Sequence, residues 1–356
     1  MALSRRIGCL LGGAVGDALG APVEFMSLAS IRASFGPEGI RDYAPAYGRV
    51  GAITDDTQMT LFTAEGLLRA WVRQREKGIC HVPSVVHHAY LRWLLTQGER
   101  LGSGRVAVAT NGWLWSLEAL HHPRAPGRTC LAALKAAKGF GQPAAARNAS
   151  KGCGGVMRAA PVGLLPVGDL DAVFELGVDV AALTHGHPSG SLPAGVLAAT
   201  VAGLIEGQAL PAALDDATAL LRRRAGAEET LRALDTARGL AGDGSRTPTA
   251  EEIERALGGG WVGEEALAIA VCCALAAGSD LAAGLRLAVN HSGDSDSTGA
   301  IAGNLLGAVL GDAAIPAAWL AALELRDEIA QVGADLDAAA TGLFDPGEAW
   351  ARYPGH

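Results

Sequence analysis

Four glycines, Gly8, Gly12, Gly16 and Gly20, recur at every fourth position near the start of the chain. Positions four apart share one face of a helix, so this stretch carries a stripe without side chains against which a second helix can come close. Asp17 follows the last internal glycine of the stripe, and Pro22 and an acidic loop at Glu24 come after it. The spacing is a statement about packing rather than a dinucleotide-binding fingerprint, because no strand precedes it. Alternating β-type segments are nearly absent from the rest of the sequence, whereas Ala/Leu-rich helical runs separated by glycine recur. The expected fold is all-α, a compact single-domain multi-helix structure over residues 1–350, with small residues allowing close helix approach.

Hydrophobic residues make up 49% of the 356 and charged residues only 19%, so much of the chain is expected to lie inside. Lys and Arg number 29 against 37 Asp and Glu, a formal charge of −8. That balance argues against a nucleic-acid surface. An anionic ligand would need local help from a metal or from helix N-termini, since the overall field opposes it. The six cysteines show no C-x-x-C pairing and are expected to be reduced and mostly buried, in a cytoplasmic protein. Arg5 and Arg6 before an apolar run imitate a short signal peptide, but Asp17 and Glu24 interrupt the stretch beyond that run and no cleavage pattern stands there. No uninterrupted apolar segment reaches membrane-spanning length, so no membrane partner is expected, and the expected state is a monomer.

Two acidic stretches stand out. In Gly51-Ala52-Ile53-Thr54-Asp55-Asp56-Thr57-Gln58-Met59, Thr54 or Asp55 is expected to cap a helix whose apolar face begins at Met59 and Phe62. In His291-Ser292-Gly293-Asp294-Ser295-Asp296-Ser297-Thr298-Gly299, two carboxylates two residues apart cannot share a helix face. Asp294 and Asp296 are therefore expected in a loop feeding a helix over 300–310, with Ser297 or Thr298 as its N-cap. Such a loop offers hard oxygen ligands of the kind Mg²⁺ or Mn²⁺ takes. Plain helix capping accounts for part of both patterns. Two adjacent Asp with two Thr exceed what capping requires.

Between them, Gly152, Gly154 and Gly155 surround Cys153. Three glycines in four positions expose backbone N–H groups and admit positive φ, which suits a phosphate cradle or a tight interhelix turn. His185 and His187 flank a glycine but lack a third His or a Cys at convincing spacing, so polar or ligand contacts are expected there rather than zinc. Helices are further expected over 83–95, 130–138, 173–183, 192–205, 266–277, 282–289, 316–332 and 336–340. Residues 26–50 are expected to be irregular. Two short peripheral helices and a polar loop over 239–249 are expected in 207–248.

Taken in order, Gly16-Asp17-Ala18-Leu19-Gly20 with Glu24, Thr54-Asp55-Asp56-Thr57, the 151–158 stretch, Thr184-His185, the 261–266 stretch and Gly293-Asp294-Ser295-Asp296-Ser297 resemble the ADP-ribosylglycohydrolase family. The pieces span roughly residues 8–310. The resemblance implies an all-α fold with two divalent metal ions, Mg²⁺ or Mn²⁺, held by Thr54, Asp55 and Asp56 on one side and by Asp294, Asp296 and Ser297 on the other. Ser297 stands where the family usually has Thr, and Thr298 follows it, so either hydroxyl could ligate. Glu24 would lie on a mobile loop closing over the site and join Asp55 and Asp56 in the catalytic set. Asp17, Gly152, Cys153, Gly154, Gly155, Met157 and His185 would line the ligand, with Cys153 where some relatives have Asn.

The implied reaction is hydrolysis of ADP-ribosylated protein, arginine-linked first, with ADP-ribose released and Asp55 or Asp56 assisting proton transfer. Serine-linked ADP-ribose, O-acetyl-ADP-ribose and modified nucleic acid are alternative substrates. A non-catalytic ADP-ribose-binding module and a two-metal phosphohydrolase are alternative classes. Paired carboxylates also occur in sugar glycosidases, but their adjacent spacing here suits shared metals better.

Overall fold

In the computed structural model the glycine stripe meets a second one. The structure describes residues 1–101, 107–137, 146–165, 168–242 and 246–355. Helix α1 (Ala2–Gly20) runs antiparallel to a helix near the other end of the sequence, Ser295–Leu310. Gly8 lies against Gly307, Gly12 against Gly303, and Gly16 against Gly299; a Cβ on any of these would fall within 3.0 Å of the opposing backbone. The two backbones touch because neither helix presents a side chain at the crossing. Asn304 seals the pair by donating its side-chain amide to the Cys9 carbonyl oxygen at 2.8 Å.

The remaining elements wrap this pair. After α1 come α2 (Leu28–Phe35), a two-stranded antiparallel hairpin of β1 (Pro45–Ala46) and β2 (Arg49–Val50), α3 (Asp55–Lys77), α4 (Val82–Thr96) and α5 (Arg128–Lys135). They are followed by α6 (Leu170–Ala182), α7 (Pro188–Ile205), α8 (Leu210–Leu221), α9 (Glu228–Ala241), α10 (Ala250–Leu257), α11 (Gly263–Ala277) and α12 (Leu281–Val289). The stripe partner is α13 (Ser295–Leu310), and α14 (Ala317–Ala322), α15 (Arg326–Thr341) and α16 (Pro346–Arg352) close the order. The fold is all-α. By length and hydropathy α7 alone among the described helices is able to cross a membrane, yet 89% of it is buried by the protein, as befits a core helix.

Helix ends follow from their residues. Thr54 caps α3, its hydroxyl accepting from the Asp56 N–H, and Gly78 ends that helix in the left-handed conformation. Within α3, buried Glu65 takes hydrogen bonds from Arg69 on the next turn and from Arg92 of α4, locking the two helices by charge.

Several expectations are corrected. Helix α13 begins at Ser295, so Asp296 and Ser297 lie in its first turn rather than in a preceding loop, and the N-cap position belongs to Asp294. Residues 26–50 are not wholly irregular: Ser27 caps α2, and the hairpin follows. Within 239–249, α9 continues to Ala241; residues 243–245 of that expected loop lie outside the described residues. Just beyond it, Thr249 and Glu252 form a capping box that starts α10. The helix expected over 316–332 breaks at Leu325, whose positive φ of 55° separates α14 from α15, and α15 then continues unbroken through 336–340. The expected end of α5 at Lys138 also lies outside the described residues.

Candidate metal centre

The antiparallel glycine contact brings the C-terminal end of α1 to the N-terminal end of α13. Gly20 packs on Ser295 and Asp296. Glu24 follows in a tight turn, its N–H donating to the Gly20 carbonyl oxygen at 3.0 Å, which turns its side chain toward α13. Glu24, Asp294 and Asp296 offer carboxylate oxygens within 4.8 Å of one another. Glu24 is only 8% exposed, so the turn that carries it lies over the cluster.

Helix α3 supplies the other side. Its start is clamped by Asp17: the Asp17 carboxylate accepts from the Thr54 N–H at 3.0 Å, from the Thr57 N–H at 3.1 Å and from the Thr57 hydroxyl. The Asp17 oxygens thus accept from the exposed N–H groups of α3, and Asp17 braces the start of the helix that carries Asp55 and Asp56. Arg124 and Glu324 hold the approach to α3 through Ile53, and the Gly127 N–H donates to Asp55 Oδ2 at 3.1 Å. Asp56 has no such partner at Oδ2, and Glu24 has none at Oε2, although both atoms are buried. Buried polar atoms without partners are rare and call for an explanation.

Asp294 occupies the N-cap position of α13, but its side chain makes no capping hydrogen bond and so faces the cluster. Its own N–H donates to the Gly259 carbonyl oxygen at 2.8 Å. The 258–260 glycine turn that provides this oxygen is fixed by Glu265, which accepts from Gly259 and Gly260. Sequence reasoning passed over this cradle for Asp294; the three consecutive glycines before Trp261 were its signal. Of the two candidate hydroxyls, Thr298 is occupied by His291 and the Ala288 carbonyl oxygen, whereas Ser297 Oγ lies 3.6 Å from Cys153 Sγ. Ser297 is the hydroxyl at the cluster.

The 152–155 loop stands across from α13. None of Gly152, Gly154 and Gly155 has a positive φ, contrary to expectation. Space explains the glycines instead: a Cβ on Gly155 would press on the Gly190 carbonyl oxygen, and one on Gly154 would lie 2.9 Å from Cys130 Sγ. The Cys153 N–H donates to the Trp261 carbonyl oxygen and the Gly152 N–H to Ser150, so these two donors serve the loop itself. Met157 is buried, its sulfur toward the Ser297 hydroxyl. His185 lies under the glycines, bonded to Thr184 at 2.9 Å. Burial and then the Arg158 guanidinium lower its pKa to about 3, so the ring is neutral at physiological pH. His187 caps α7. At the rim, Phe25 (73% exposed) stacks on Trp261 (45% exposed) with centroids 5.6 Å apart, a pairing that sequence patterns did not show.

Burial, and after it the carboxylates of Asp294, Asp55 and Asp17, raises Glu24 to about 9. Burial raises Asp17 to about 6, against the hydrogen bonds from Thr57 and Thr54. Asp55, Asp56 and Asp296 are also pushed well above the usual carboxylate range, by burial first. In the unfolded chain these groups titrate near about 4. The folded state therefore binds more protons, so their contribution to stability is fully present below about pH 4 and is lost as pH rises through the folded values. In chelator, the melting temperature is expected to fall steadily from pH 5 to pH 9; a flat or rising profile would contradict this account of the cluster.

A set of hard oxygen donors, crowded, buried and partly unpartnered, suits a divalent cation. Taken with the helical scaffold, the arrangement is that of a hydrolase whose acidic centre is assembled from helix ends. The chain belongs to the ADP-ribosylglycohydrolase family, whose model matches residues 2–346. It is 26% identical over 336 residues to the ADP-ribosyl-[dinitrogen reductase] glycohydrolase of Rhodospirillum rubrum, covering 91% of this chain and 92% of that protein. It is 30% identical over 332 residues to an uncharacterized protein of Archaeoglobus fulgidus, covering 92% and 94%. A solved structure titled ADP-ribosylglycohydrolase-related protein complex aligns with a TM-score of 0.67 at 30% identity, over 95% of this chain and 99% of that one.

Proposed function

We propose that this hydrolase removes ADP-ribose from arginine side chains of modified proteins, with two divalent cations, Mg²⁺ or Mn²⁺, held by Thr54, Asp55, Asp56, Asp294, Asp296 and Ser297. The observation that carries the cation reading is the carboxylate crowd at the ends of α1, α3 and α13: the neighbouring charges that act most strongly on Glu24, Asp56 and Asp296 are other carboxylates. Lys151, the nearest basic residue of the glycine loop, is committed to Glu229 and Glu264 at 2.6 and 2.8 Å. With a formal charge of −8 as well, a diphosphate needs positive charge that these side chains do not supply. The arginine linkage rests on the motif resemblance, and the Rhodospirillum rubrum relative is named for an ADP-ribosylated protein substrate, dinitrogen reductase.

When bound, the cations would polarise ribose hydroxyls and lower the pKa of a water. The chain's own groups divide the proton work. Asp56 Oδ2, free of hydrogen bonds, is the open acceptor for a proton from the attacking water, whereas Asp55 Oδ2 is already held by Gly127. Glu24 Oε2, also without a hydrogen-bond partner, would pass a proton to the leaving guanidine. As the C1′–N bond breaks, the water oxygen bonds to C1′ and arginine leaves protonated. His185, neutral and packed under the loop, shapes the ligand side without titrating.

The test is ADP-ribose release from an arginine-ADP-ribosylated protein, with added Mg²⁺ or Mn²⁺ and again with chelator. Metal-dependent release is the expected result. Release from serine-linked or O-acetyl substrates but not from arginine would move the linkage; equal release in chelator would overturn the cation reading.

A further inference from the structure

We propose that Arg158 and Thr184 are positioning residues that fix the ring proton of His185 on Nε2. From there it donates to a phosphate oxygen of the ligand beside Gly152. The proposal rests on the centre taking a diphosphate-bearing ligand, as argued above.

Arg158 is fully buried, and among the described residues no carboxylate pairs with it. Its Nη1 meets Met59 Sδ at 3.2 Å and Cys130 Sγ at 3.3 Å, the face of Tyr90 lies 4.2 Å away, and Nε has no partner. A buried cation without a counter-charge is unfavourable and calls for an explanation. Its one short polar contact shows what it acts on: Nη2 donates to Thr184 Oγ at 2.6 Å.

That bond decides the next one. A guanidinium only donates, so Thr184 Oγ accepts from it and has one proton of its own to give. His185 Nδ1 lies 2.9 Å from Thr184 Oγ, whereas the Ala181 carbonyl oxygen lies 3.4 Å away, long for a hydroxyl donor. The Thr184 proton therefore goes to Nδ1, which accepts, and in a neutral ring the imidazole proton is then on Nε2. A guanidinium behind a hydroxyl behind an imidazole polarises the chain in one sense and strengthens the donor at its end.

That end is left uncovered. Among the described residues Thr184 is the only hydrogen-bond partner of the ring. Cβ atoms on Gly152 and Gly154 would lie 3.3 and 3.4 Å from Nε2, so a larger residue at either position would stand over it. Ser150 Oγ lies 3.5 Å from the same bare point of Gly152 and bonds to Thr129 Oγ at 3.0 Å. Gly152, Ser150 and Thr129 are half-buried, so solvent reaches this face. The acidic centre is close, since the Gly127 N–H, two residues before Thr129, donates to Asp55 Oδ2. An N–H and two hydroxyls around one glycine suit a phosphate oxygen, a strong acceptor of several hydrogen bonds.

The experiment reads the ring directly, by nitrogen NMR of the Mg²⁺-loaded full-length protein with isotope-labelled histidine. The His185 signals are those missing from His185→Gln. A protonated Nε2 and a bare Nδ1 are expected; a protonated Nδ1 would overturn the relay. Calorimetry then compares ADP, which carries the diphosphate, with adenosine, which lacks it. Thr184→Val should weaken ADP binding at least about tenfold and leave adenosine within about threefold. Thr184→Ser, which returns the hydroxyl, should restore ADP binding. Equal loss for both ligands would reduce Thr184 to a structural role, and undiminished ADP binding would remove His185 from the phosphate; either result overturns the proposal. If ADP binds as expected but arginine-linked ADP-ribose is not released, the linkage proposed above falls and the phosphate donor stands.

Discussion

Asp296→Asn is expected to lower turnover by about 10²–10⁴-fold while leaving the metal-free protein at least as stable as the parent. The two effects separate because Asp296 is placed for chemistry at a cost to the fold. Its carboxylate is 2% exposed in the first turn of α13, among Asp56, Asp294 and Glu24. The helix N-terminus compensates part of that crowding, and a cation would compensate the rest. An amide keeps the shape and keeps an oxygen to accept from the Ser297 N–H, as Asp296 Oδ1 does at 3.0 Å. It removes one negative charge from a group of like charges. Melting in chelator should therefore be unchanged or raised, and kcat for ADP-ribose release should collapse. A variant that unfolds in chelator would assign Asp296 to structure, and one with parental turnover would remove it from the site.

Gly303→Val should do the opposite: destabilise the fold without altering any side chain of the acidic centre. A Cβ at Gly303 would fall within 3.0 Å of the Gly12 carbonyl oxygen and carbon, and only backbone stands there to yield. Overpacking of a core usually costs about 1–3 kcal/mol; with two helix backbones in contact and no side chain able to move aside, about 3 kcal/mol or more is expected. Gly239→Ala provides the contrast. Gly239 lies on the exposed face of α9 with nothing within 4 Å of its would-be Cβ, and the change should be neutral or stabilise by about 0.5–1 kcal/mol. Denaturant midpoints of the two variants settle the comparison. Equal midpoints would mean that α1 and α13 can separate at little cost.

What the sequence disclosed and what it concealed divide along one line: local patterns were legible and partners distant in sequence were not. The four-residue glycine stripe, the Thr54 cap and the all-α class rest on neighbours within one or two turns, and each stands in the structure. Asp296 was misplaced because two carboxylates two residues apart were expected to need one shared helix face. Asp294 lies outside the helix, at its cap, and from there its side chain reaches the same cluster as a first-turn residue. The bracing of α3 by Asp17 was not legible, because its hydrogen bonds to Thr54 and Thr57 join segments nearly forty residues apart, which no pattern announces. The tight turn that brings Glu24 to α13 was not legible either, because Pro22 hides how closely the chain continues α1. The glycines of the 152–155 loop were given to positive φ, while the reason they are glycine lies in Gly190 and Cys130. Helix α10, by contrast, was readable all along in Thr249 and Glu252, the two ends of a capping box.

The meeting of the two glycine stripes also sets a schedule for biosynthesis. Helix α1 is made before its partner, and the surface it packs on is encoded roughly 280 residues later, which at about 5–20 residues per second means roughly 15–60 s of translation. Through that interval an apolar helix with a bare glycine face waits without its partner, a long-range closure of the kind that slows folding and exposes a nascent chain to aggregation. Glu24 and the start of α3 wait with it, since their counterpart carboxylates arrive only with α13. No cation can template the centre on the growing chain, because half of its donors have not yet been made. Chaperone capture of ribosome-bound chains stalled before residue 295, and release of those stalled after 311, is the footprint such an order of assembly would leave.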